Sequence, residues 1–137
     1  MSAAPKLLIE MPVPLRWRDL DALNHVNNAA FLTFLEEARL RWFAQLPGPW
    51  FSETWMPVVA AIQVNYRAQL AWPGQITVQL YCERLGNSSL TVAHRIVDAA
   101  DSGKVYSDGN TVLVWVNPAD GKSVPLPASV REACSES

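Results

Sequence analysis

The sequence predicts an α+β fold, and three observations support this. The chain has 137 residues, half of them hydrophobic and 18% charged, which is typical of a folded domain with a substantial core. Between residues 29 and 46, apolar residues recur at spacings of three and four, the period of an amphipathic helix. After that segment, apolar and polar residues alternate in several runs, the period of β-strands. One long helix combined with an antiparallel sheet is an α+β plan.

The first strand is predicted over residues 7–17. This stretch is mostly apolar but contains Pro12 and Pro14, and proline favours an edge strand because it lacks an N–H donor. Residues 18–28 are polar and rich in Asp and Asn. We therefore expect a loop between this strand and the helix.

The helix is predicted over residues 29–46. Asn27 or Asn28 can cap its first turn, because a short side-chain oxygen accepts hydrogen bonds from the free N–H groups there. Pro47-Gly48-Pro49 then ends the helix, since proline cannot donate the next helical hydrogen bond.

The rest of the chain predicts an antiparallel meander. Turn residues such as Gly86-Asn87 and Asp101-Ser102-Gly103 separate runs that are rich in β-branched and aromatic residues. These runs cover residues 56–68, 75–85, 90–97 and 104–117.

Composition excludes several classes of protein. Eleven basic and thirteen acidic residues give a net charge of −2 with no Lys/Arg run, so a nucleic-acid partner is not expected. No apolar stretch reaches the roughly 20 residues of a membrane-spanning helix, and the first residues lack signal-peptide features. We therefore expect a cytoplasmic protein, with Cys82 and Cys134 as free thiols. Two Cys and two His this far apart fit no usual zinc spacing, so no metal site is expected.

The richest polar cluster lies in the loop before the helix. It holds two carboxylates, one imidazole and three amides between Asp19 and Asn28. A helix start offers free N–H groups and the positive end of the helix dipole. A carboxylate facing those donors across a bound carbonyl could carry out acyl transfer. The same residues could instead only cap the helix and solvate the loop.

The motifs in this region resemble those of a known family. Asp19-Leu20-Asp21, His25-Val26-Asn27-Asn28 and Glu36-Glu37-Ala38-Arg39 resemble the hotdog-fold acyl-CoA thioesterases of the 4-hydroxybenzoyl-CoA thioesterase-like superfamily. The resemblance covers about residues 6–127 of a single domain predicted over 1–137, and we expect the tail 128–137 to be frayed. It implies a long helix wrapped by a curved antiparallel sheet. It also implies a homo-oligomer, a dimer or a dimer of dimers, with sites at the subunit boundary.

The resemblance also implies roles for residues of the loop. Asp21 falls at the family's catalytic aspartate, which attacks the thioester as a nucleophile or activates a water as general base. Backbone N–H groups near Asn27 and Asn28 would polarise the thioester carbonyl, and His25 would bond within the loop or touch substrate. Asp19 is expected to shape the loop. No metal or redox cofactor is implied.

A second region is a candidate for binding coenzyme A. In similar thioesterases, the turn that corresponds to residues 84–89 approaches the pantetheine and nucleotide of CoA. Arg84, Ser88 and Ser89 could supply a cation and hydroxyls there. An ordinary hairpin turn is an equally good interpretation of these residues.

Two positions depart from the family pattern. Asn24 stands where glycine is usual, at a position that can require a positive φ, which Asn tolerates better than most residues. Phe31 stands where tyrosine is common, so a hydroxyl is lost from that position.

Other residues compete for a role in chemistry. One branch of hotdog thioesterases places its carboxylate on the helix, which makes Glu36 a rival to Asp21. Glu37 and Arg41 are expected to form a solvated pair at i,i+4, and His94 in a strand is expected to be structural. The aromatic cluster in the loop after the helix (Trp50, Phe51 and Trp55) could line an acyl pocket or anchor the core.

The predicted function is therefore hydrolysis of an acyl-CoA thioester to a free acid and CoA. Two alternatives stay open from the sequence. A hotdog hydratase or dehydratase would pair a carboxylate with His25. A non-catalytic protein would bind acyl-CoA without hydrolysing it.

Overall fold

The structure is a computed structural model that describes residues 5–135. It contains one antiparallel sheet of five strands in the order β1-β3-β4-β5-β2. The strands are β1 (Lys6–Pro14), β2 (Met56–Tyr66), β3 (Gln75–Leu85), β4 (Ser89–Asp98) and β5 (Val105–Val116). The helices are α1 (Asn28–Gln45) and α2 (Ala128–Ser135). The α+β prediction is confirmed, and the predicted strands match the observed ones closely.

The strand order differs from the predicted meander. Only β3, β4 and β5 follow one another as neighbours, whereas β2 pairs with β5 at the sheet's edge. Residues 67–74 carry the chain from β2 to β3, which lies three strands away. This order leaves β1 and β2 as the edges, so the edge position predicted for the first strand from its prolines is correct.

Helix α1 packs its apolar side against the sheet. The side chain of Asn27 accepts a hydrogen bond from the N–H of Ala29 at 2.8 Å and caps the helix as predicted. Both α1 and the sheet contribute to one hydrophobic core. The buried helix residues are Phe31, Phe34, Leu35, Ala38, Arg39, Trp42 and Phe43.

The segment expected to be frayed instead contains α2. Val130 and Cys134, four residues apart, are both buried in the hydrophobic core. The guanidinium of Arg131 donates to the carbonyls of Gly86 (2.8 Å) and Asn87 (3.1 Å). The buried side chains of Val130 and Cys134 and these long-range hydrogen bonds stabilise a short, mostly polar stretch. Contacts between residues this far apart cannot be predicted from a local sequence pattern. Residues 136 and 137 of the predicted tail lie outside the described residues.

Two further predictions concern composition. Cys82 and Cys134 are free thiols, as predicted. Neither of the helices described between residues 5 and 135 has the length and hydropathy needed to cross a membrane.

Candidate active site

Asp19 anchors the loop that precedes α1. Its buried carboxylate accepts hydrogen bonds from the backbone N–H of Arg16 (2.9 Å) and from the Arg16 guanidinium (3.0 Å). Its carbonyl accepts a hydrogen bond from the N–H of Asn27 at 2.9 Å. Asp19 therefore ties both ends of the loop together, in keeping with the predicted structural role.

Asp21 is held in a tight turn of its own. Its Oδ1 accepts hydrogen bonds from the N–H groups of Leu23 (2.8 Å) and His25 (3.2 Å). Its N–H donates to the carbonyl of His25 at 2.8 Å. Asn24 lies inside this turn with φ +59°, the left-handed conformation that asparagine tolerates better than most residues other than glycine. The turn leaves Oδ2 of Asp21 without a hydrogen bond within residues 5–135.

The start of α1 supplies one free backbone donor. The N–H of Asn27 is bonded to Asp19, and the N–H of Ala29 is bonded to the Asn27 side chain. Within the described residues, the N–H of Asn28 has no acceptor. Of the two N–H groups predicted to polarise a carbonyl, the structure thus leaves only that of Asn28 available.

These groups line a cleft of about 460 Å³, a size suited to a small-molecule ligand. One wall contains Asp21, His25 and Asn28, and the other is residues 66–70, which comprise the end of β2 and the segment that follows it. A hydrogen bond of 2.6 Å from the N–H of Val26 to the carbonyl of Leu70 joins the two walls. The structure therefore brings together the candidates Asp21, His25 and Asn28, while Asn27 faces a neighbouring depression.

Tyr66 is a cleft residue that the sequence analysis did not select. Its hydroxyl donates to the carbonyl of Asn28 at 2.9 Å, and its ring packs edge-on against Phe31 at 5.1 Å between centroids. A hydroxyl is therefore present beside Phe31, although the family's tyrosine is absent there. The available signal was a polar-tipped aromatic at the end of a predicted strand, followed directly by Arg67.

Arg67 is the cation of the cleft wall. Its guanidinium contacts both carboxylate oxygens of Asp108, with the shortest distance 3.0 Å. Hydrogen bonds from Arg67 hold the pKa of Asp108 below its usual range, against an opposing effect of burial. Asn65 also donates to Asp108 at 3.1 Å. The pair holds the side chain of Arg67 at the rim of the cleft.

His25 lies half-buried in the cleft wall. Its backbone closes the Asp21 turn, while its ring makes no hydrogen bond among residues 5–135. The imidazole is therefore free to contact a ligand, which is one of the two roles predicted for it.

The predicted CoA-binding residues lie far from Asp21 within one chain. In the register of the sheet, Arg84 lies opposite Thr91, which in turn lies opposite Val112 of β5. Tyr66 at the cleft lies opposite Ser107 of β5. Five residues of β5 separate these positions, roughly 16 Å at about 3.3 Å per residue. The turn that holds Ser88 and Ser89 is instead bonded to α2 and to β5.

The rival helix carboxylates also lie outside the cleft. Glu37 forms the predicted solvated pair with Arg41 at 2.9 Å. Glu36 is exposed and faces a second cavity, lined with Arg39 and the start of β2. Neither carboxylate contacts the Asp21 turn.

His94 is buried, with its Nε2 within 3.2 Å of the Ser107 hydroxyl. Its Nδ1 has no partner within the described residues, so the histidine is only half satisfied. Burial lowers its pKa to about 4, with Arg39 adding to the shift and Asp108 opposing it. The ring is therefore neutral near pH 7 and forms part of the core.

The aromatic cluster after α1 contributes to packing. Trp50 stacks on Phe43 with ring centroids 4.5 Å apart, and its carbonyl accepts a hydrogen bond from the indole of Trp115. Phe51 packs against Trp50, and Trp55 lines a separate pocket near α2. None of the three lines the cleft that contains Asp21.

Between residues 5 and 135, no group of three or more His, Cys, Asp or Glu side chains is arranged to hold a metal ion.

Comparison with known proteins identifies the family. The family model of the thioesterase-like superfamily matches residues 15–134. The chain belongs to this superfamily. The resemblance inferred from the Asp19–Arg39 motifs is thus confirmed, and with it the class of thioester hydrolases.

Individual members of the thioesterase-like superfamily match nearly the full chain. The long-chain acyl-CoA thioesterase FadM of Escherichia coli is 28% identical over 130 residues, which cover 90% of this chain and 95% of FadM. A candidate acyl-CoA thioesterase of Xanthomonas campestris is 48% identical, covering 88% of this chain and 99% of its own, with a TM-score of 0.79. A Thermus thermophilus thioesterase, solved with coenzyme A and Zn, is 34% identical with a TM-score of 0.78. That match covers 97% of this chain and all of the other. These structures support the hotdog assignment of the fold.

Proposed function

We propose that this superfamily member is an acyl-CoA thioesterase and that Asp21 carries the reaction. The observation that supports this most directly is the Asp21 turn. Two N–H groups hold Oδ1 while Oδ2 is left free in a cleft beside the unbonded N–H of Asn28. The acyl-CoA thioesterases among the matched proteins support CoA thioesters as the substrate class.

The arrangement supports two routes for Asp21. As a nucleophile, Oδ2 attacks the thioester carbonyl, the C–S bond breaks, and CoA leaves as a thiolate that takes a proton from solvent. Water then hydrolyses the mixed anhydride to the free acid and regenerates the carboxylate. As a general base, Asp21 instead removes a proton from the water that attacks the carbonyl. In both routes the N–H of Asn28 stabilises the developing oxyanion.

The first prediction tests Asp21 itself. We expect Asp21→Asn to lower kcat by roughly 10² or more, because loss of general-base or nucleophilic function typically costs at least that. KM and the folded structure should change little, since Asn Oδ1 can still accept the two N–H groups. Thiol release from an acyl-CoA series measures the effect.

Glu37→Gln is the matched control, because it also neutralises an exposed carboxylate, one that lies outside the cleft. It should retain nearly full activity. If Asp21→Asn keeps more than a tenth of the wild-type kcat while Glu36→Gln is inactive with an unchanged oligomeric state, the helix carboxylate is the catalytic group. The appearance of ¹⁸O in Asp21 after single-turnover hydrolysis in ¹⁸O-labelled water would identify the nucleophilic route, because only attack of water on the aspartyl carbonyl of the anhydride can place it there.

We also propose that two copies of the chain pair through β2. This strand is hydrogen-bonded to β5 on one side only, and its free edge presents exposed Val58, Val59 and Ile62. An apolar strand edge of this kind is a template for pairing with another strand. A second copy of the same chain satisfies it with closed two-fold symmetry.

The proposed dimer offers a route to the CoA-binding residues. Antiparallel pairing of β2 with itself reverses the second sheet end to end. The end that holds Arg84, Ser88 and Ser89 in the second copy then lies at the same end as the first copy's cleft. These residues can therefore reach coenzyme A only as part of a composite site.

A further inference from the structure

Arg39, a largely buried residue, lines the second cavity, which lies further along α1 than the cleft. Arg39 is only 7% exposed, and none of its five N–H donors has an acceptor among residues 5–135. Leaving a buried cation without a partner is costly. Burial lowers the pKa of Arg39, and the charge of Glu36 in the same chain opposes this shift without forming a hydrogen bond. Within one chain, the charge of Arg39 therefore has no hydrogen-bonded carboxylate that offsets its desolvation.

The cavity around Arg39 has a volume of about 270 Å³. It lies between α1 and the start of β2, where Pro57 and Val59 form its floor. Glu36 also lines it, one helical turn from Arg39. This carboxylate is exposed, and it does not come within ion-pair distance of Arg39 in the same chain.

An unusual stripe of residues runs along the same flank of α1. Leu32, Glu36 and Leu40 follow at intervals of four, so they share one face of the helix. Leu32 is 40% exposed and Leu40 50% exposed, although both are apolar. Glu36, at the centre of this stripe, and Leu40 line the cavity that also contains Pro57 and Val59 of β2.

Helix α1 and strand β2 run in opposite directions. Asn28 at the start of α1 is bonded to Tyr66 at the end of β2. Phe43 near the end of α1 shares a cavity with Pro57 at the start of β2. The middle of β2 therefore lies beside the middle of the helix, close to Glu36.

A two-fold axis through the middle of the β2 edge would bring the stripe against itself. The second helix would run antiparallel to the first, so that Leu32 would meet Leu40 of the second copy. Glu36 would then face Glu36 of the second copy. Two facing carboxylates repel unless cations lie between them, and the buried, unpartnered Arg39 is one turn away.

We propose that Glu36 of each chain pairs with Arg39 of the second copy, so that two ion pairs cross the subunit interface. This inference rests on the dimer proposed above. It explains why Arg39 lacks an acceptor within its own chain, and why a carboxylate stands at the centre of an otherwise apolar stripe. The helix carboxylate thus has a role in assembly rather than in hydrolysis.

A charge-reversal experiment tests the pairing. The variants Glu36→Arg and Arg39→Glu are each expected to dimerise at least about tenfold more weakly than the wild type, because each places like charges together across the interface. A mixture of the two variants should form a heterodimer within about tenfold of the wild-type Kd. In that complex every inter-subunit pair is complementary, while the pair within each chain is repulsive. Analytical ultracentrifugation and native mass spectrometry measure both quantities.

The mixture distinguishes the two possible pairings. If it dimerises no better than either variant alone, the pair does not cross the interface and the proposal is wrong. The proposal is also wrong if the double variant Glu36→Arg/Arg39→Glu recovers dimers and the mixture does not. The double variant restores opposite charges within each chain, whereas the mixture restores them only between chains. Where a reversed chain fails to fold alone, co-expression with differently tagged chains applies the same criterion, and failure to recover a complex overturns the proposal.

The solvated pair on the same helix provides the control. Glu37→Arg and Arg41→Glu reverse charges at exposed positions and should leave the dimer Kd unchanged. Wild-type dimerisation and acyl-CoA hydrolysis are measured alongside. A monomeric wild type would contradict the proposed dimer, and an inactive one the proposed hydrolysis. A wild-type dimer without rescue in the mixture would contradict only the Glu36–Arg39 pairing.

Discussion

At the scale of single residues, the proposed chemistry depends on which hydrogen bonds are already made. In the loop before α1, most N–H groups have an acceptor within the chain, and for this reason the N–H of Asn28 is the donor that we propose for the carbonyl. Hydrogen bonds also distinguish the two carboxylates of the loop. Arg16 donates to both carboxylate oxygens of Asp19, whereas Oδ2 of Asp21 accepts no hydrogen bond within residues 5–135. We therefore propose different roles for two carboxylates only two positions apart, because their hydrogen-bond partners differ.

Tyr66 positions the carbonyl of Asn28 at the start of the helix. We expect Tyr66→Phe to lower kcat by less than about tenfold and stability by about 1 kcal/mol, the usual net value of one hydrogen bond. Tyr81→Phe is the matched control, because its hydroxyl donates to Gln79 on β3, away from the cleft. Equal losses of kcat in the two variants would show that Tyr66 has no specific role in the site. Steady-state kinetics and thermal unfolding measure the two effects.

His94 makes the stability of the fold depend on pH. Its pKa is lowered to about 4 by burial, whereas an unfolded histidine titrates near 6.5. Between these values the unfolded chain binds a proton that the folded chain does not. The contribution of His94 to the free energy of unfolding is therefore fully present above about pH 6.5 and is lost as the pH drops towards 4, by up to about 3 kcal/mol.

The measurement for His94 is urea unfolding at several pH values. We expect His94→Gln to flatten the dependence between pH 6.5 and 4, since glutamine does not titrate. The variant is expected to be less stable than the wild type at neutral pH, because its amide replaces a fitted ring beside Ser107. An unchanged pH dependence would show that other groups govern acid unfolding.

At the scale of elements, α2 closes one end of the core. Val130 is fully buried, and Arg131 ties the helix to the β3–β4 turn. We expect Val130→Ala to lower the free energy of unfolding by about 1–3 kcal/mol, because removing buried methyl groups leaves a cavity. Glu132→Ala, at the exposed neighbouring position of the same helix, should change it by less than about 0.5 kcal/mol. Similar small effects for both variants would mean that α2 is not packed in solution.

At the scale of the whole molecule, the two edges of the sheet should behave differently. Ile62 on β2 is 41% exposed and Leu7 on β1 is 43% exposed, so exposure alone does not distinguish them. We expect Ile62→Lys to shift the protein to monomers, because a charge at an edge opposes strand pairing. Leu7→Lys should leave the oligomeric state unchanged. Light scattering at matched concentrations measures both variants.

Activity should follow assembly in that comparison. If the cleft is completed by the second copy, the Ile62→Lys monomer should lose most of its acyl-CoA hydrolysis while remaining folded. A fully active Ile62→Lys monomer would instead show that one chain holds the whole site.

The sequence by itself determined the elements and the loop that holds the proposed catalytic residue. The apolar spacing of α1 and the alternation within the strands are local patterns, since each residue's burial follows from its place on one helix or strand. The cap, for which Asn27 and Asn28 were the candidates, was likewise predictable because it depends on neighbours within a few residues. The positive φ of Asn24 was expected from the family resemblance instead. Asp21 was identified from the family motif rather than from its spacing alone.

Only the tertiary structure decided which distant residues meet. The position of β2 beside β5 brings Tyr66 to Asn28, separates Arg84 from the cleft and leaves an unpaired strand edge. The packing of α2 and the isolation of Arg39 also depend on residues far away in the chain. Periodicity reports which side of an element is buried, but it does not specify the element against which that side packs. Strand order and long-range hydrogen bonds are properties of the assembled sheet, and for this reason they could not be predicted from any local stretch of sequence.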